Sequence, residues 1–234
     1  MTERGVQLTL EFPLSAWSRF DTFVTGRNGD LIRRLEVFAA QTTFGGCLVY
    51  GPAGGGRTHL LQAVCHRHGA GAAGGGAIYL PLADPAVRPD ALDGLENLDL
   101  VALDDVDHWL GGAEAERALL ALYQGLEARD GRLLLSAAEP AVRLAFAFAD
   151  LASRLRALPG YQVHTLPDAD KAEVLKRLAG ERGLKLSKAV LTFWLSRSRR
   201  NLTSLVDQLD RLDSAAMAEQ RRVTVPLVKR VLGL

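Results

Sequence analysis

A glycine-rich segment with the spacing of a phosphate-binding loop lies in the first quarter of the chain. The segment "GPAGGGRTH", residues 51–59, matches the pattern G-x-x-x-x-G-K-[ST] at Gly51, Gly56 and Thr58, but it has Arg57 where the pattern has lysine. In such a loop, backbone N–H groups face one anion, and the N-terminus of the following helix adds partial positive charge. The planar guanidinium still supplies a cation, although it cannot mimic a compact ammonium group. The expected nucleotide-binding residues are Gly51, Pro52, Ala53, Gly54, Gly55, Gly56, Arg57, Thr58 and His59.

Two adjacent aspartates follow an apolar run and supply the second half of such a site. In "LDLVALDDVD", residues 98–107, the run ends at Asp104 and Asp105. We expect Asp104 to hold Mg²⁺ through water, together with the hydroxyl of Thr58. Asp105 stands where many related ATPases have a glutamate that orients the attacking water, and it is one methylene shorter. The alternative interpretation of this segment is a solvated acidic turn.

Strand-like and helical patterns alternate around these residues, from residue 31 to about residue 166. The predicted helices cover residues 31–40, 57–68 and 114–128. The predicted strands cover residues 47–50, 77–82, 98–103, 132–137 and 161–166. The low-complexity stretch 69–76 is predicted to be a surface loop. Strands separated by helices pair in parallel through right-handed crossovers, which predicts an α/β fold whose parallel sheet is sandwiched by helices.

The pattern changes at Pro167, after which only helices are predicted. Asp168 is expected to cap a helix that ends near residue 180, and Ser187 to cap a helix over residues 190–198. Two more helices are predicted at residues 201–220 and 224–232. The chain is therefore divided into an N-terminal peptide and linker, an α/β nucleotide-binding domain and a small helical lid, over residues 1–17, 18–166 and 167–234.

Composition narrows the classes of function. The 234 residues include 28 lysines and arginines against 27 aspartates and glutamates, so the net charge of +1 gives no global reason to expect nucleic-acid or membrane binding. Cys47 and Cys65 lie in apolar segments and are predicted to be buried free thiols. No signal peptide opens the sequence and no apolar run approaches the ~20 residues of a membrane span, so a cytoplasmic protein is expected.

Several segments together resemble the AAA+ module of the bacterial replication initiator DnaA. They are "FDTFVTG", "GPAGGGRTHLLQAV", "VALDDVD", "LASRL" and the helical tail, and the resemblance covers about residues 18–234. More narrowly, the sequence resembles the Hda family of DnaA-homologous regulators. Arginine at the lysine position of the loop, a lid with no helix-turn-helix domain after it, and "QLTLEF" at residues 7–12 carry this narrower resemblance. The last of these is similar to a sliding-clamp-binding peptide.

The resemblance implies a function and a set of partners. It implies a P-loop AAA+ protein that binds ADP or ATP with Mg²⁺, has weak or absent ATPase activity of its own, and stimulates ATP hydrolysis by DnaA. The stimulation would require the DNA-loaded sliding clamp of DNA polymerase III, and it would repress re-initiation of replication. DNA would be contacted only indirectly through the clamp, and self-assembly into a homo-oligomer stays open.

The resemblance also assigns roles to individual residues. Arg154, which "DLASRL" places after a helix and ahead of the strand at residue 161, matches an arginine finger offered to a neighbour's nucleotide. Arg200 matches the sensor arginine of the lid, which contacts the protein's own nucleotide. Asp105 would take the water-orienting role. The clamp-binding residues would be Gln7, Leu8, Leu10 and Phe12.

Two features leave alternatives open. In "LLLSAAEP", Ala138 stands where DnaA relatives have an aspartate sensor, which indicates further weakening of self-catalysis. The segment "QLTLEF" alternates like an edge strand and could pair with a sheet instead of a clamp.

The rival functions are a nucleotide-driven loader or remodelling ATPase that acts on a helicase or DNA as an oligomer, and a scaffold that binds nucleotide only for stability.

Overall fold

A computed structural model describes residues 12–71, 76–198, 202–219 and 222–234, and it divides the chain into two compact units. The α/β unit comprises the described residues up to Gly51 and from Arg57 to Val163. The helical unit comprises Pro52–Gly56 and the described residues from His164 onward. The segment that matches a phosphate-binding loop is thus divided: Gly51 and residues 57–59 belong to the α/β unit, and Pro52–Gly56 are grouped with the helical unit.

The α/β unit is a five-stranded sheet with helices between the strands. Its elements are α1 Gly29–Ala40, β1 Gly45–Tyr50, α2 Arg57–Gly71, β2 Ala77–Pro81, β3 Leu100–Asp104, α3 Ala113–Ala128, β4 Arg132–Ala137, α4 Ala149–Ala157 and β5 Gly160–Gln162. The strand order is β2-β3-β4-β1-β5, and every neighbouring pair is parallel. The predicted α/β fold with a parallel sheet is confirmed.

Alternation along the strands divides the core of this unit between the two faces of the sheet. On β1, Leu48 points into one buried cluster, while Cys47 and Val49 point into the other. Helices α1 and α2 cover the face of Cys47 and Val49, and α3 and α4 cover the face of Leu48. Both faces are apolar because helices cover both, as parallel sheets require. Burial of each large aliphatic side chain contributes roughly 1.5–3 kcal/mol to stability.

The strand predicted over residues 161–166 is wrong beyond Gln162. β5 pairs with β1 only opposite Leu48, Val49 and Tyr50, and β1 ends at Tyr50. After Val163, whose N–H donates to the carbonyl oxygen of Tyr50 at 2.7 Å, the chain leaves the sheet. The other sequence-based boundaries differ less: β3 begins two residues late, and α2 continues to Gly71 into the stretch predicted to be a loop.

The helical unit contains α5 Asp168–Glu181, α6 Lys188–Arg197, α7 Leu202–Glu219 and α8 Val225–Leu232. Trp194 is fully buried, and its indole Nε1 donates to Gln208 Oε1 at 2.5 Å. Ser187 caps α6 by accepting from the N–H of Val190, as predicted. The predicted cap of α5 is wrong, because Pro167 occupies the N-cap position and Asp168 is the first helical residue. No helix in the described ranges is long and apolar enough to cross a membrane.

The two cysteines should resist thiol reagents while the protein is folded. Both are buried and free, and burial raises the pKa of Cys47 and of Cys65 to about 12, from an ordinary value of 9.0. A rise of this size lowers the thiolate fraction roughly 1,000-fold, and only the thiolate reacts. We expect negligible labelling by a maleimide at pH 8 in buffer and two labelled thiols in denaturant, counted by mass spectrometry. Fast labelling of the folded protein would contradict the buried environment.

Candidate functional site

The loop that joins β1 to α2 needs glycine where it leaves the strand. Gly51 has φ +154°, and a Cβ on it would lie 2.6 Å from the carbonyl oxygen of Val163. Gly54 and Gly56 have φ values of 74° and 102°, which L side chains rarely adopt. Arg57 is the first residue of α2, so the loop leads directly into the N-terminus of a 15-residue helix. The strand, glycine turn and helix N-terminus follow one another as the motif requires, and anion binding by the loop stays a prediction.

Asp104 is the centre of a buried hydroxyl network. It ends β3 with only 2 % of its surface exposed. Its carboxylate accepts hydrogen bonds from Thr58 Oγ1 at 2.6 Å and from Tyr79 Oη at 2.9 Å. The hydroxyl of Ser136 donates to its other oxygen. Since these donors come from α2, β2 and β4, the carboxylate joins three elements at the C-terminal edge of the sheet.

Tyr79 and Ser136 are site residues that sequence reasoning missed. The register pairs Leu103 with Leu80 on one side and with Leu135 on the other, so Ser136 follows on β4 beside the end of β3. Burial, reinforced by the Asp104 carboxylate, raises the pKa of Tyr79 far above its ordinary range, so its hydroxyl keeps the proton that it donates. For Ser136, the sequence did contain a signal: it is the single polar residue in the apolar segment "LLLSA".

Asp105 faces the guanidinium of Arg57. Arg57 Nη2 lies 2.8 Å from Asp105 Oδ1, and the two side chains are 11 % and 27 % exposed. Asp105 has left-handed backbone angles, φ 55° and ψ 50°, and its N–H donates to Ser136 Oγ at 2.8 Å. Burial and the Asp104 carboxylate raise the pKa of Asp105, and Arg57 opposes them. The acidic pair is therefore part of a network and not a solvated turn.

His59 contacts the segment before α1. Its Nε2 lies 2.8 Å from the carbonyl oxygen of Arg19, and its ring meets the ring of Phe23 edge-on at 5.3 Å. Burial lowers the pKa of His59, so near pH 7 the ring is neutral and Nε2–H is the donor to Arg19. The side chain thus ties α2 to the "FDTF" segment, and the predicted contact of His59 with nucleotide stays a prediction.

Arg154 lies within α4, so its predicted place after a helix is wrong. Nη1 is 3.0 Å from Glu127 Oε2 and Nε is 3.3 Å from Asp150 Oδ1. The guanidinium also lies over the ring of Tyr123, with its carbon 5.2 Å from the ring centroid. The side chain is 28 % exposed. A charged group is therefore held at the surface of the α/β unit by two carboxylates and an aromatic face.

Glu116 is a buried carboxylate that sequence reasoning did not single out. It has no exposed surface and accepts three backbone hydrogen bonds, from Gly111 at 2.7 Å and from Ala147 and Phe148 at 2.8 Å each. Phe148 is the N-cap residue of α4. Because α4 carries Arg154, Glu116 anchors the start of the helix on which that arginine lies.

Four predicted site residues lie outside the described part of the chain. They are Gln7, Leu8, Leu10 and Arg200. Phe12, the last predicted clamp-binding residue, is half-buried and packs against both apolar clusters of the α/β unit. This contact favours a role for Phe12 in anchoring the N-terminal segment, and its role in clamp binding stays a prediction.

The residues of the α/β unit that begin α2 and end β3 fit a nucleotide with a divalent cation. Arg57 Nη1 is buried and has no acceptor among the described residues, which is the environment that a phosphate oxygen would satisfy. The Thr58 hydroxyl and the Asp104 carboxylate are the oxygen ligands that Mg²⁺ prefers, and they are the residues that would hold it. When bound, the cation would offset the negative charge of the phosphates.

Solved structures share this fold. Domain III of the replication initiation protein DnaA from Thermotoga maritima superposes with a TM-score of 0.77 at 16% identity, over 94% of this chain and 98% of that chain. AMPPCP-bound DnaA from Aquifex aeolicus gives a TM-score of 0.68 at 20% identity, over 86% of this chain and 66% of that one. A variant of RuvB from Thermotoga maritima gives 0.64 at 18% identity, over 92% and 71%.

The α/β unit with its glycine loop and the helical unit have the fold of DnaA domain III. Residues 168–232 match the family model described as the lid domain of Hda. With the similarity to DnaA domain III, this match supports an Hda/DnaA-like AAA+ protein. The resemblance predicted from the sequence is confirmed at that level.

Proposed function

We propose that this protein binds a nucleotide and, together with the DNA-loaded sliding clamp, stimulates ATP hydrolysis by the initiator DnaA, which represses re-initiation of replication. The observation that carries the proposal is the match of residues 168–232 to the lid domain of Hda. The likeness to DnaA domain III supports it, because related modules are suited to packing against one another as neighbours.

The state of the acidic pair supports a weak ATPase activity in the protein itself. A water-orienting carboxylate must be free to reach the attacking water, whereas Asp105 is engaged by Arg57 at 2.8 Å. Nucleotide binding is retained, since the loop and Arg57 provide backbone and cationic contacts. DnaA from Aquifex aeolicus has been solved bound to AMPPCP, and we propose that this chain takes ADP or ATP in the same class of site.

The stimulation itself is assigned to Arg154. A guanidinium delivered to a neighbour's nucleotide offsets the charge that develops on the transferred phosphoryl group. Arg154 is partly exposed on α4, and its partners Glu127 and Asp150 leave part of the guanidinium open to solvent. In this proposal DnaA binds the nucleotide and positions the attacking water, and Arg154 supplies a positive charge beside the transferred phosphoryl group.

Recruitment is assigned to the N-terminal peptide. Gln7 offers an amide, and Leu8 and Leu10 offer apolar groups to a preformed pocket. A short peptide loses conformational freedom when it binds, so a single contact is expected to be weak, around micromolar, and several pockets on a loaded clamp add avidity. The near-zero net charge supports contact with DNA through the clamp and not directly.

The proposal is tested by ATP turnover in a reconstituted mixture. We expect ATP–DnaA to hydrolyse its nucleotide quickly only when this protein and the DNA-loaded clamp are both present. The double variant Gln7→Ala with Leu10→Ala should lose clamp binding and stimulation, while its unfolding free energy changes by no more than about 0.5 kcal/mol. Rapid turnover by this protein without DnaA would instead support the remodelling ATPase. A destabilised double variant that still binds clamp would support the edge strand.

A further inference from the structure

One terminal nitrogen of the Arg57 guanidinium has an acceptor, and the other has none among the described residues. Nη2 pairs with Asp105 at 2.8 Å, whereas Nη1 is buried and has no acceptor in any of the described ranges. An arginine has a rigid fork of donors, so fixing one Nη fixes where the other points. The unsatisfied Nη1 therefore has a set direction at the first residue of α2, next to the glycine loop.

The backbone of Asp105, whose side chain pairs with Arg57, is itself held by Ser136. Its left-handed backbone is stabilised by the hydrogen bond from its N–H to Ser136 Oγ, and the Ser136 hydroxyl donates to the buried Asp104. An aspartate in this conformation is unusual and persists when its surroundings determine it. A connected chain of contacts thus runs from Asp104 through Ser136 and Asp105 to Arg57.

We propose that Asp105 is a positioning residue for Arg57 and not the residue that orients the attacking water. In this arrangement Nη2 keeps its ion pair with Asp105, while Nη1 donates to a phosphate oxygen of the bound nucleotide. Arg57 and Asp105 thus bind phosphate together. The oriented guanidinium takes the place of the lysine ammonium group that the loop pattern otherwise provides. The inference rests on the proposed nucleotide binding, and it names the contact that determines affinity.

The two roles for Asp105 predict opposite effects on affinity. If Asp105 only orients water, removing its negative charge near the phosphates should leave ADP binding unchanged or strengthen it. If Asp105 holds Arg57 in place, removing it should weaken ADP binding even though a repulsive charge has been lost. ADP is the right probe, because it has no γ-phosphate to hydrolyse and its affinity reports binding alone.

The test is ADP affinity, measured by calorimetry on the full chain and on variants of the pair. We expect micromolar or tighter binding by the native protein. Asp105→Gly, which tolerates the positive φ and removes the acceptor, should weaken binding about tenfold. Asp105→Asn keeps an acceptor and tolerates this backbone, so it should stay within about threefold of the native protein. Adding Asp105→Gly to Arg57→Lys should cost no more than about twofold beyond Arg57→Lys alone.

A matched control removes a nearby charge that does not pair with Arg57. Asp107 lies two residues on and contributes to the electrostatic environment of Asp105, so Asp107→Asn should leave ADP affinity unchanged or slightly higher. Thermal melting shows that each variant is folded. Unchanged or tighter ADP binding by Asp105→Gly would overturn the inference and leave nucleotide binding standing. No ADP binding by the native protein would overturn both.

Discussion

Arg154→Ala is expected to reduce DnaA ATP hydrolysis to the unstimulated rate, a loss of about 10³-fold or more if the arginine acts as fingers do in other phosphoryl transfers. ADP binding by the variant itself and its clamp binding should be unchanged, because the groups that hold Arg154, namely Tyr123, Glu127 and Asp150, belong neither to the glycine loop nor to the N-terminal peptide. The measurement is phosphate release from ATP–DnaA with loaded clamp, at matched concentrations of native and variant protein.

A neighbouring arginine on the same helix provides the control. Arg156 lies two residues on, and its guanidinium carbon is 5.3 Å from the centroid of the Phe146 ring. Arg156→Ala also removes one positive charge from α4, so it matches the change in net charge. We expect it to retain most of the stimulation. Equal losses in the two variants would indicate that charge steering of DnaA, and not a finger, explains the effect.

The α/β core could be predicted from sequence because local pattern and burial agree there. The strand at Arg132–Ala137 was predicted to the residue, since an apolar run in the centre of the sheet has partners on both sides. The edge strand β5 was overextended, because the apolar pattern continues after its partner has ended at Tyr50. Strand length at an edge depends on the neighbouring strand, which the local sequence does not contain.

The candidate site was predictable in its motifs and not in its contacts. Asp104 and Thr58 were paired in the prediction because a phosphate-binding loop and an acidic residue at a strand end occur together in such sites. In the structure Thr58 Oγ1 donates to Asp104 Oδ2 at 2.6 Å. The pairing of Arg57 with Asp105 was not predicted, since it depends on a left-handed backbone at an aspartate. Ser136 was noted only as part of a departure from DnaA relatives, although it binds both aspartates.

Glu116 shows a further limit of sequence reasoning. In the first turn of α3 a glutamate is ordinary, because it complements the helix dipole from the solvent side. Here the side chain turns inward and satisfies backbone N–H groups that are 5, 31 and 32 residues away in the chain. Those N–H groups belong to loops outside helices and strands. One carboxylate therefore accepts the hydrogen bonds that backbone carbonyl groups accept in regular secondary structure.

The largest effect on stability is expected from Glu116→Ala. The substitution leaves the N–H groups of Gly111, Ala147 and Phe148 without their acceptor, and each unsatisfied buried donor costs about 1–3 kcal/mol. Water entering the space left by the side chain recovers part of that loss, so we expect a fall of about 3–5 kcal/mol in unfolding free energy. Urea denaturation followed by circular dichroism measures it.

The control for this variant lies two residues earlier in the same turn. Glu114 is exposed, and Glu114→Ala should change the unfolding free energy by less than about 0.5 kcal/mol. Glu116→Gln keeps one oxygen acceptor but places an amide NH₂ beside a backbone N–H, so its loss should lie between those of the two alanine variants. Because Phe148 is the N-cap residue of α4, Glu116→Gln should also weaken stimulation of DnaA through Arg154. A Glu116→Ala protein as stable as the native one would contradict the anchoring role.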